Sequence, residues 1–77
     1  MNKLISTTDI VRKYNISYQT LNYYTNLGLL PVVDKKGNKR LYEERQLRLT
    51  LDRINDLKKE GYTLRLIRKI LSGQIGD

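Results

Sequence analysis

The fold of this chain is decided by residues 15–31, which read NISYQTLNYYTNLGLLP. Ser17 is the kind of residue that caps the start of a helix. Three residues then recur at the spacing of one helical face: Leu21, Tyr24 and Leu27. Gly28 has the residue type and position that end a helix, and Pro31 cannot continue one. The segment therefore predicts a short helix between Ser17 and Gly28.

A second short helix is predicted just before this one. The hydroxyl residues from Ser6 onward, followed by Asp9, resemble a capping box at a helix start. Three residues behind them fall on one helical face: Ile10, Val11 and Tyr14. Asn15 tolerates the left-handed conformation and is expected to end this helix. Two short helices joined by a tight turn at residues 15–17 form a helix-turn-helix pattern.

The middle of the chain predicts a basic β-hairpin. Residues 32–34 and 39–42 are interpreted as its strands and residues 35–38 as its loop, where Gly37 and Asn38 tolerate positive φ. Four cations lie in it: Lys35, Lys36, Lys39 and Arg40. Beside a helix-turn-helix, such a hairpin is interpreted as a wing that places cations on DNA phosphates or in a minor groove. The alternative is that the lysines serve solubility or protect a strand edge.

Two more helices complete the chain. The third is predicted over residues 43–60, from apolar residues at the helical period: Leu47, Leu51, Ile54 and Leu57. Gly61 ends it, and Thr63 caps a fourth helix with its own apolar face: Leu64, Ile67, Ile70 and Leu71. We expect both stripes in the core, with three tyrosines at apolar positions: Tyr14, Tyr24 and Tyr62. The order α-α-β-β-α-α predicts a mainly α, winged helix-turn-helix domain over residues 1–72, followed by a flexible tail at 73–77.

Composition limits the classes of function. The chain has 15 Lys and Arg against 8 Asp and Glu, a formal charge of +7, so a polyanion such as nucleic acid is the expected partner. It lacks Cys and His, which excludes disulfides, thiolate metal sites and the commonest general base. Four acidic residues of the predicted third helix are interpreted as helix-surface charges: Glu43, Glu44, Asp52 and Asp56. The sequence predicts no enzyme, cofactor or metal site.

The sequence carries no signal for a membrane. No apolar run approaches the ~20 residues that a transmembrane helix needs. The N-terminus also lacks the pattern of a signal peptide. We therefore expect a cytoplasmic, nucleoid-associated protein.

The predicted second helix has an uncharged solvent face. No charged residue occurs between Tyr18 and Leu30, although 30% of the chain is charged. This face offers four side chains: Tyr18, Gln19, Asn22 and Tyr23. Asn and Gln can pair bidentately with adenine in the major groove, and Tyr can bond a phosphate or pack on a thymine methyl group. The pattern favours DNA recognition over an ordinary polar surface.

Three motifs in order resemble the signature of bacterial MerR-type transcription regulators. They are Ser17-x-x-Thr20-Leu21-x-Tyr23-Tyr24-x-x-x-Gly28-Leu29-Leu30-Pro31, Arg40-x-Tyr42, and Gly61-Tyr62-Thr63-Leu64-x-x-Ile67-x-x-Ile70-Leu71. The resemblance covers residues 5–72. It implies a winged-helix DNA-binding domain with helix two in the major groove, the hairpin as first wing, and the turn at Gly61 as a second backbone contact. The expected DNA contacts are Ser17, Tyr18, Gln19, Asn22, Tyr23, Lys35, Lys36, Lys39, Arg40 and Tyr42, although Tyr42 is equally suited to packing.

The chain departs from the family pattern at several positions. Asn22 stands where the family usually has Arg before the Tyr-Tyr pair, and Thr25 where an acidic residue follows it. The wing reads Asn38-Lys39-Arg40 where Gly-Tyr-Arg is common. We therefore expect a different operator, and hypothesise that Asn22 reads adenine directly.

Family members generally continue into a dimerising coiled-coil helix and an effector-binding domain, and the sequence stops at Asp77. The chain is therefore either the DNA-binding part of a longer regulator or a small stand-alone protein. We expect a monomer on its own, a dimer if a longer chain supplies the coiled coil, and no small-molecule effector site in these residues. Dimeric members are thought to act by distorting an over-long promoter spacer.

Two other interpretations stay open. An excisionase-like architectural factor of a mobile element also pairs a helix-turn-helix with a wing, although such proteins usually lack a second helical pair like residues 43–72. A protein-interaction module would use the Tyr-rich helix on a protein partner and show no salt-dependent DNA affinity.

Overall fold

The computed structural model of the chain describes residues 3–72 and contains four helices and one small sheet within that range. The elements in chain order are β1 (Leu4–Ser6), α1 (Thr7–Lys13), α2 (Tyr18–Asn26), β2 (Asp34–Lys36), β3 (Lys39–Glu43), α3 (Glu44–Lys59) and α4 (Leu64–Leu71). This architecture confirms the predicted winged helix-turn-helix of mainly α class. The tail predicted to be flexible, residues 73–77, lies outside the described residues.

Side-chain caps begin α1, α2 and α4 where the sequence predicts them. The Ser6 hydroxyl accepts a hydrogen bond from the Asp9 amide at 3.3 Å, which starts α1. The Ser17 hydroxyl accepts from the Thr20 amide at 3.1 Å, which starts α2. Thr63 caps α4 in the same way. Each cap satisfies a backbone donor that the first turn of a helix leaves unpaired.

Left-handed residues end α1, α2 and α3, as predicted. Asn15 adopts a φ of 53° and turns the chain between α1 and α2. Gly28 adopts a φ of 83° after α2, where its amide donates to Thr25 O and the Leu29 amide donates to Tyr24 O, both at 3.0 Å. These two bonds form a Schellman motif. The same arrangement follows α3 around Gly61.

The sequence does not predict β1, and the element order needs this correction. The sheet has three antiparallel strands in the order β1-β3-β2, with Ile5 of β1 opposite Tyr42 of β3. Both of these side chains are buried. A strand of three residues is too short to show a period-two pattern, and its partner lies far along the chain.

The predicted bounds of the hairpin are also wrong at its first strand. β2 begins at Asp34 and includes Lys35 and Lys36, which the sequence pattern assigns to the loop. The loop contains two residues, Gly37 and Asn38, and Gly37 takes a φ of 63°. The apolar pair at residues 32–33 misleads because those residues precede the regular ladder, although the Val33 amide still donates to Leu41 O at 2.9 Å.

One hydrophobic core joins the helix-turn-helix, the sheet and the second helical pair. Its buried members are Ile5, Ile10, Leu21, Tyr24, Leu29, Leu30, Tyr42, Leu47, Leu51, Ile54 and Ile67. The predicted stripe of α3 is confirmed, because Leu57 packs against this cluster. The stripe of α4 is confirmed for Leu64 and Leu71, which pack against it in the same way, but Ile70 is half-buried and does not join the core. Tyr24 is buried as predicted, whereas Tyr62 keeps 39% of its surface exposed and is not a core residue.

Glu44 is a buried ion-pair partner, so its assignment as a helix-surface charge is wrong. Its carboxylate accepts a hydrogen bond from the Tyr14 hydroxyl at 2.8 Å and from the Lys13 ammonium. Its amide donates to Lys3 O at 2.8 Å, because β1 brings that residue to the start of α3. The hydrogen bonds from Lys13 and then Tyr14 lower the pKa of the Glu44 carboxyl group. Glu44 therefore ties α1 and β1 to α3.

Candidate nucleic-acid interface

A cleft of about 370 Å³ separates the second helix of the helix-turn-helix from the hairpin wing. The wing is β2, β3 and the loop between them. Residues from α1, α2 and the wing line the cleft: Thr7, Thr8, Tyr18, Asn22, Lys35, Gly37, Asn38, Lys39 and Arg40. The fold thus brings together five of the residues predicted to contact DNA: Tyr18, Asn22, Lys35, Lys39 and Arg40.

The register of the wing places like charges opposite each other. Lys35 pairs with Arg40 and Lys36 pairs with Lys39 across the two strands. Like charges that face each other directly destabilise an antiparallel pair. The wing therefore concentrates positive charge at some cost in stability, and a bound anion would relieve the repulsion.

Arg40 contains an unsatisfied polar group. Its Nη1 atom is buried and donates to no acceptor within residues 3–72. Arg40 and the buried Tyr42 are two residues apart on β3, so both face the helix-turn-helix. A guanidinium nitrogen without a partner is costly to bury.

The neutral side chains of α2 differ in their exposure. Tyr18 and Tyr23 keep 59% and 51% of their surfaces exposed. Gln19 is exposed and Asn22 is half-buried at the wall of the cleft. The side-chain amides of both residues make no hydrogen bond to any other part of the described chain. Both amides are therefore free to bind a ligand.

Other polar groups of α2 are occupied by the fold. The Ser17 hydroxyl accepts from the Thr20 amide and donates to Thr20 Oγ1 at 2.8 Å. The Thr25 hydroxyl donates to Leu21 O at 2.8 Å. Ser17 was predicted as a DNA contact, and the structure gives its hydroxyl a capping role in α2.

Tyr42 lies in the core with 1% of its surface exposed. Its hydroxyl is 2.8 Å from the hydroxyl of Thr25, which joins β3 to α2. Of the two roles the sequence allows Tyr42, packing or a phosphate contact, this position favours packing. The bond also holds the wing beside α2.

Two residues of the cleft were not predicted from the sequence. Thr7 and Thr8 lie in the first turn of α1 and reach the cleft because β1 and α1 pass beside the wing. In the sequence they are two polar residues at the start of a helix. Helix capping alone explains such residues, so they do not indicate a binding site. Besides Ser17 and Tyr42, three predicted residues lie outside the cleft lining: Gln19 and Tyr23 on α2, and Lys36 on β2.

Among residues 3–72, no group of three acidic residues is arranged to hold a metal ion. No helix of the described chain is long and apolar enough to cross a membrane.

A comparison with protein families matches residues 5–74 to the family of MerR HTH regulatory proteins. Searches of curated proteins and of solved structures found no significant match. The family match covers nearly the whole chain and includes both helical pairs and the wing. It confirms the resemblance carried by the three sequence motifs, and it indicates a DNA-binding regulator with double-stranded DNA as partner. The chain therefore belongs to the MerR HTH family of regulatory proteins.

Proposed function

We propose that this chain is a sequence-specific DNA-binding domain of a transcription regulator, in which α2 enters the major groove and the wing contacts the DNA backbone. The observation that carries the proposal is the cleft, which sets the free amide of Asn22 beside the cations of the wing. Neutral hydrogen-bonding groups suit base edges, and cations suit phosphates. The two kinds of contact come from two adjacent elements of one fold.

The dimensions of α2 support its assignment to the major groove. A helix with its side chains is about 10–12 Å across, close to the ~12 Å width of the major groove in B-DNA. Tyr18 and Tyr23 project from α2 with half or more of their surfaces exposed. Neither ring is needed to complete the core, so both are available at an interface.

The charge of the wing supports its assignment to phosphates. Its two cation pairs repel each other in the free protein, and Arg40 Nη1 lacks an acceptor in the described structure. Phosphate oxygens would relieve the repulsion between the cation pairs. Protection of a strand edge by Lys does not account for Arg40, which lines the cleft.

The salt dependence of DNA binding tests the wing. Each phosphate neutralised contributes a slope of about −0.9 to the plot of log affinity against log salt. We expect Lys36→Ala, Lys39→Ala and Arg40→Ala each to weaken binding to all sequences and to reduce the slope by about one unit. Arg53→Ala is the matched control, because Arg53 is an exposed cation of α3 that does not line the cleft. Unchanged slopes in the wing variants would remove the wing from the interface.

Selection of bound fragments from a random DNA library tests sequence specificity. An enriched inverted repeat would indicate a symmetric pair, as the promoter-distortion mechanism requires. Direct repeats would favour head-to-tail assembly and the excisionase-like alternative. Loss of all binding at moderate salt, without enrichment, would contradict specific recognition and favour a protein partner for α2.

A further inference from the structure

The helix assigned to the major groove carries no charge. All nine residues of α2, Tyr18–Asn26, are neutral. The nearest cations on the cleft belong to the wing: Lys35, Lys39 and Arg40. The means of reading bases is therefore limited to amides, hydroxyls and aromatic rings.

Hydrogen bonds within the fold limit this set further. Ser17, Thr20 and Thr25 use their hydroxyls on one another, on the α2 backbone or on Tyr42. The amides of Gln19 and Asn22 have no partner among the described residues. They lie three residues apart and so occupy neighbouring positions on the helix surface. Asn26, the last residue of α2, is a third amide. Gln19 and Asn22 lie nearer the N-terminal end of the helix, the part of a recognition helix that contacts base edges, so these two amides are the ones placed for bidentate bonds with bases.

The chemistry of base edges indicates which base pairs these side chains can bind. Guanine is read in the major groove mainly by Arg or Lys on its O6 and N7 atoms, and the cytosine amino group is read by Asp or Glu. α2 contains none of these residues. Asn and Gln instead pair with N6 and N7 of adenine, and the ring of an exposed Tyr can pack on a thymine methyl group.

We propose that the base pairs facing α2 in the operator are A·T or T·A pairs, and that Asn22 contacts N6 and N7 of one adenine. This inference rests on the proposed function and specifies its DNA target. Asn22 is the better candidate for this contact than Gln19, because Asn22 is half-buried in the wall of the cleft and its side chain is therefore more restricted. Any requirement for guanine would have to come from the wing.

The test uses the 77-residue chain and the operator half-site selected from the random library. Each adenine of the half-site is replaced in turn by 7-deazaadenine, which lacks the N7 acceptor. One replacement is expected to reduce the affinity of the unaltered protein about five- to tenfold. The same replacement should leave the affinity of Asn22→Ala unchanged, since that variant no longer uses N7.

Asn22→Ala is also expected to relax base preference at that one A·T pair and to keep its affinity for random DNA. Asn55→Ala is the matched control, because Asn55 is an exposed asparagine of α3 outside the cleft. Thermal melts establish that both variants fold. The 7-deazaadenine series on the unaltered protein keeps the inference testable even if Asn22→Ala fails to fold.

Two results would overturn the inference. An enriched guanine whose N7 atom is protected from dimethyl sulfate, and stays protected when each wing cation is replaced by alanine (Lys35, Lys36, Lys39 and Arg40), would show that α2 reads G·C pairs; specific DNA binding itself would then stand. A half-site in which no 7-deazaadenine lowers affinity would overturn the contact between Asn22 and N7 of adenine, and specific DNA binding would again stand. Absence of any enriched site would instead overturn both the inference and the proposed function.

Discussion

Removal of the Tyr42 hydroxyl tests whether this residue packs in the core or contacts a DNA phosphate, the two roles that the sequence allows. The Thr25 hydroxyl donates its proton to Leu21 O, so the Tyr42 hydroxyl is the donor in the bond between the two side chains. Tyr42→Phe deletes this donor and keeps the ring, which fills the core at 1% exposure. Thr25 keeps its bond to Leu21 O, so no buried donor is left unpaired. The expected cost is that of one neutral hydrogen bond, about 1 kcal/mol.

A loss of this size is large enough to measure in a domain of this length. A change of about 1 kcal/mol shifts the melting temperature of a 60–100-residue domain by about 4–8 °C. We expect that decrease for Tyr42→Phe by circular dichroism, with unchanged DNA affinity by fluorescence anisotropy at a temperature where the domain stays folded. Tyr18→Phe is the control, because its exposed hydroxyl is not expected to affect melting. An unchanged melting temperature with weaker DNA binding would refute the packing role and make Tyr42 a phosphate contact.

Two further predictions concern stability. Because its partners lower the pKa of Glu44 in the folded state, the stability that Glu44 contributes is complete above the ~4.3 of a free glutamate and is lost as the pH falls through the lower folded value. Melting curves of Glu44→Gln over an acid series should therefore lack part of the acid destabilisation of the unaltered protein; identical pH profiles would count against the ion pair. Gly28→Ala should lower the free energy of unfolding by about 1 kcal/mol in urea titrations, because an alanine is strained at a φ of 83° although its Cβ would meet no atom within 4 Å. No loss would mean that the chain relaxes at this turn.

The helices are predictable from the sequence because the signals that bound them are local. Ser17 and Thr63 cap helices with their own side chains, and Asn15 and Gly28 supply the left-handed backbone that ends them. All of these interactions span a few residues. A pattern over a short window therefore contains most of the information that sets the helix bounds.

The features that sequence patterns miss depend on contacts between distant segments. β1 forms because Ile5 pairs with Tyr42, and the sequence of residues 4–6 does not indicate that distant partner. Glu44 becomes buried because Lys13 and Tyr14 approach it from α1. A charged residue in the first turn of a helix normally favours the surface, so this outcome required the tertiary structure.

The candidate interface also combines features that the sequence predicts with features that only the tertiary structure shows. The sequence places free amides and cations in two adjacent segments, which is enough to predict a recognition helix and a wing. It cannot show which hydroxyls are already occupied, so Ser17 and Tyr42 were grouped with residues whose polar groups are free. Thr7 and Thr8 were missed because only the fold brings the start of α1 to the cleft.

The packing of Tyr42 holds the wing beside α2, which the proposed binding of one DNA duplex by both elements requires. Tyr42 and Arg40 lie on the same face of β3, and Thr25 lies three residues beyond Asn22 on α2. The contact between Tyr42 and Thr25 therefore sets the separation between the guanidinium group of the wing and the amide of the helix. Tyr42→Phe keeps the ring that maintains this separation, which is why we expect it to affect stability and not DNA affinity. A substitution that removes the ring should affect both, because the groups proposed to bind bases and phosphates would lose the contact that holds them side by side.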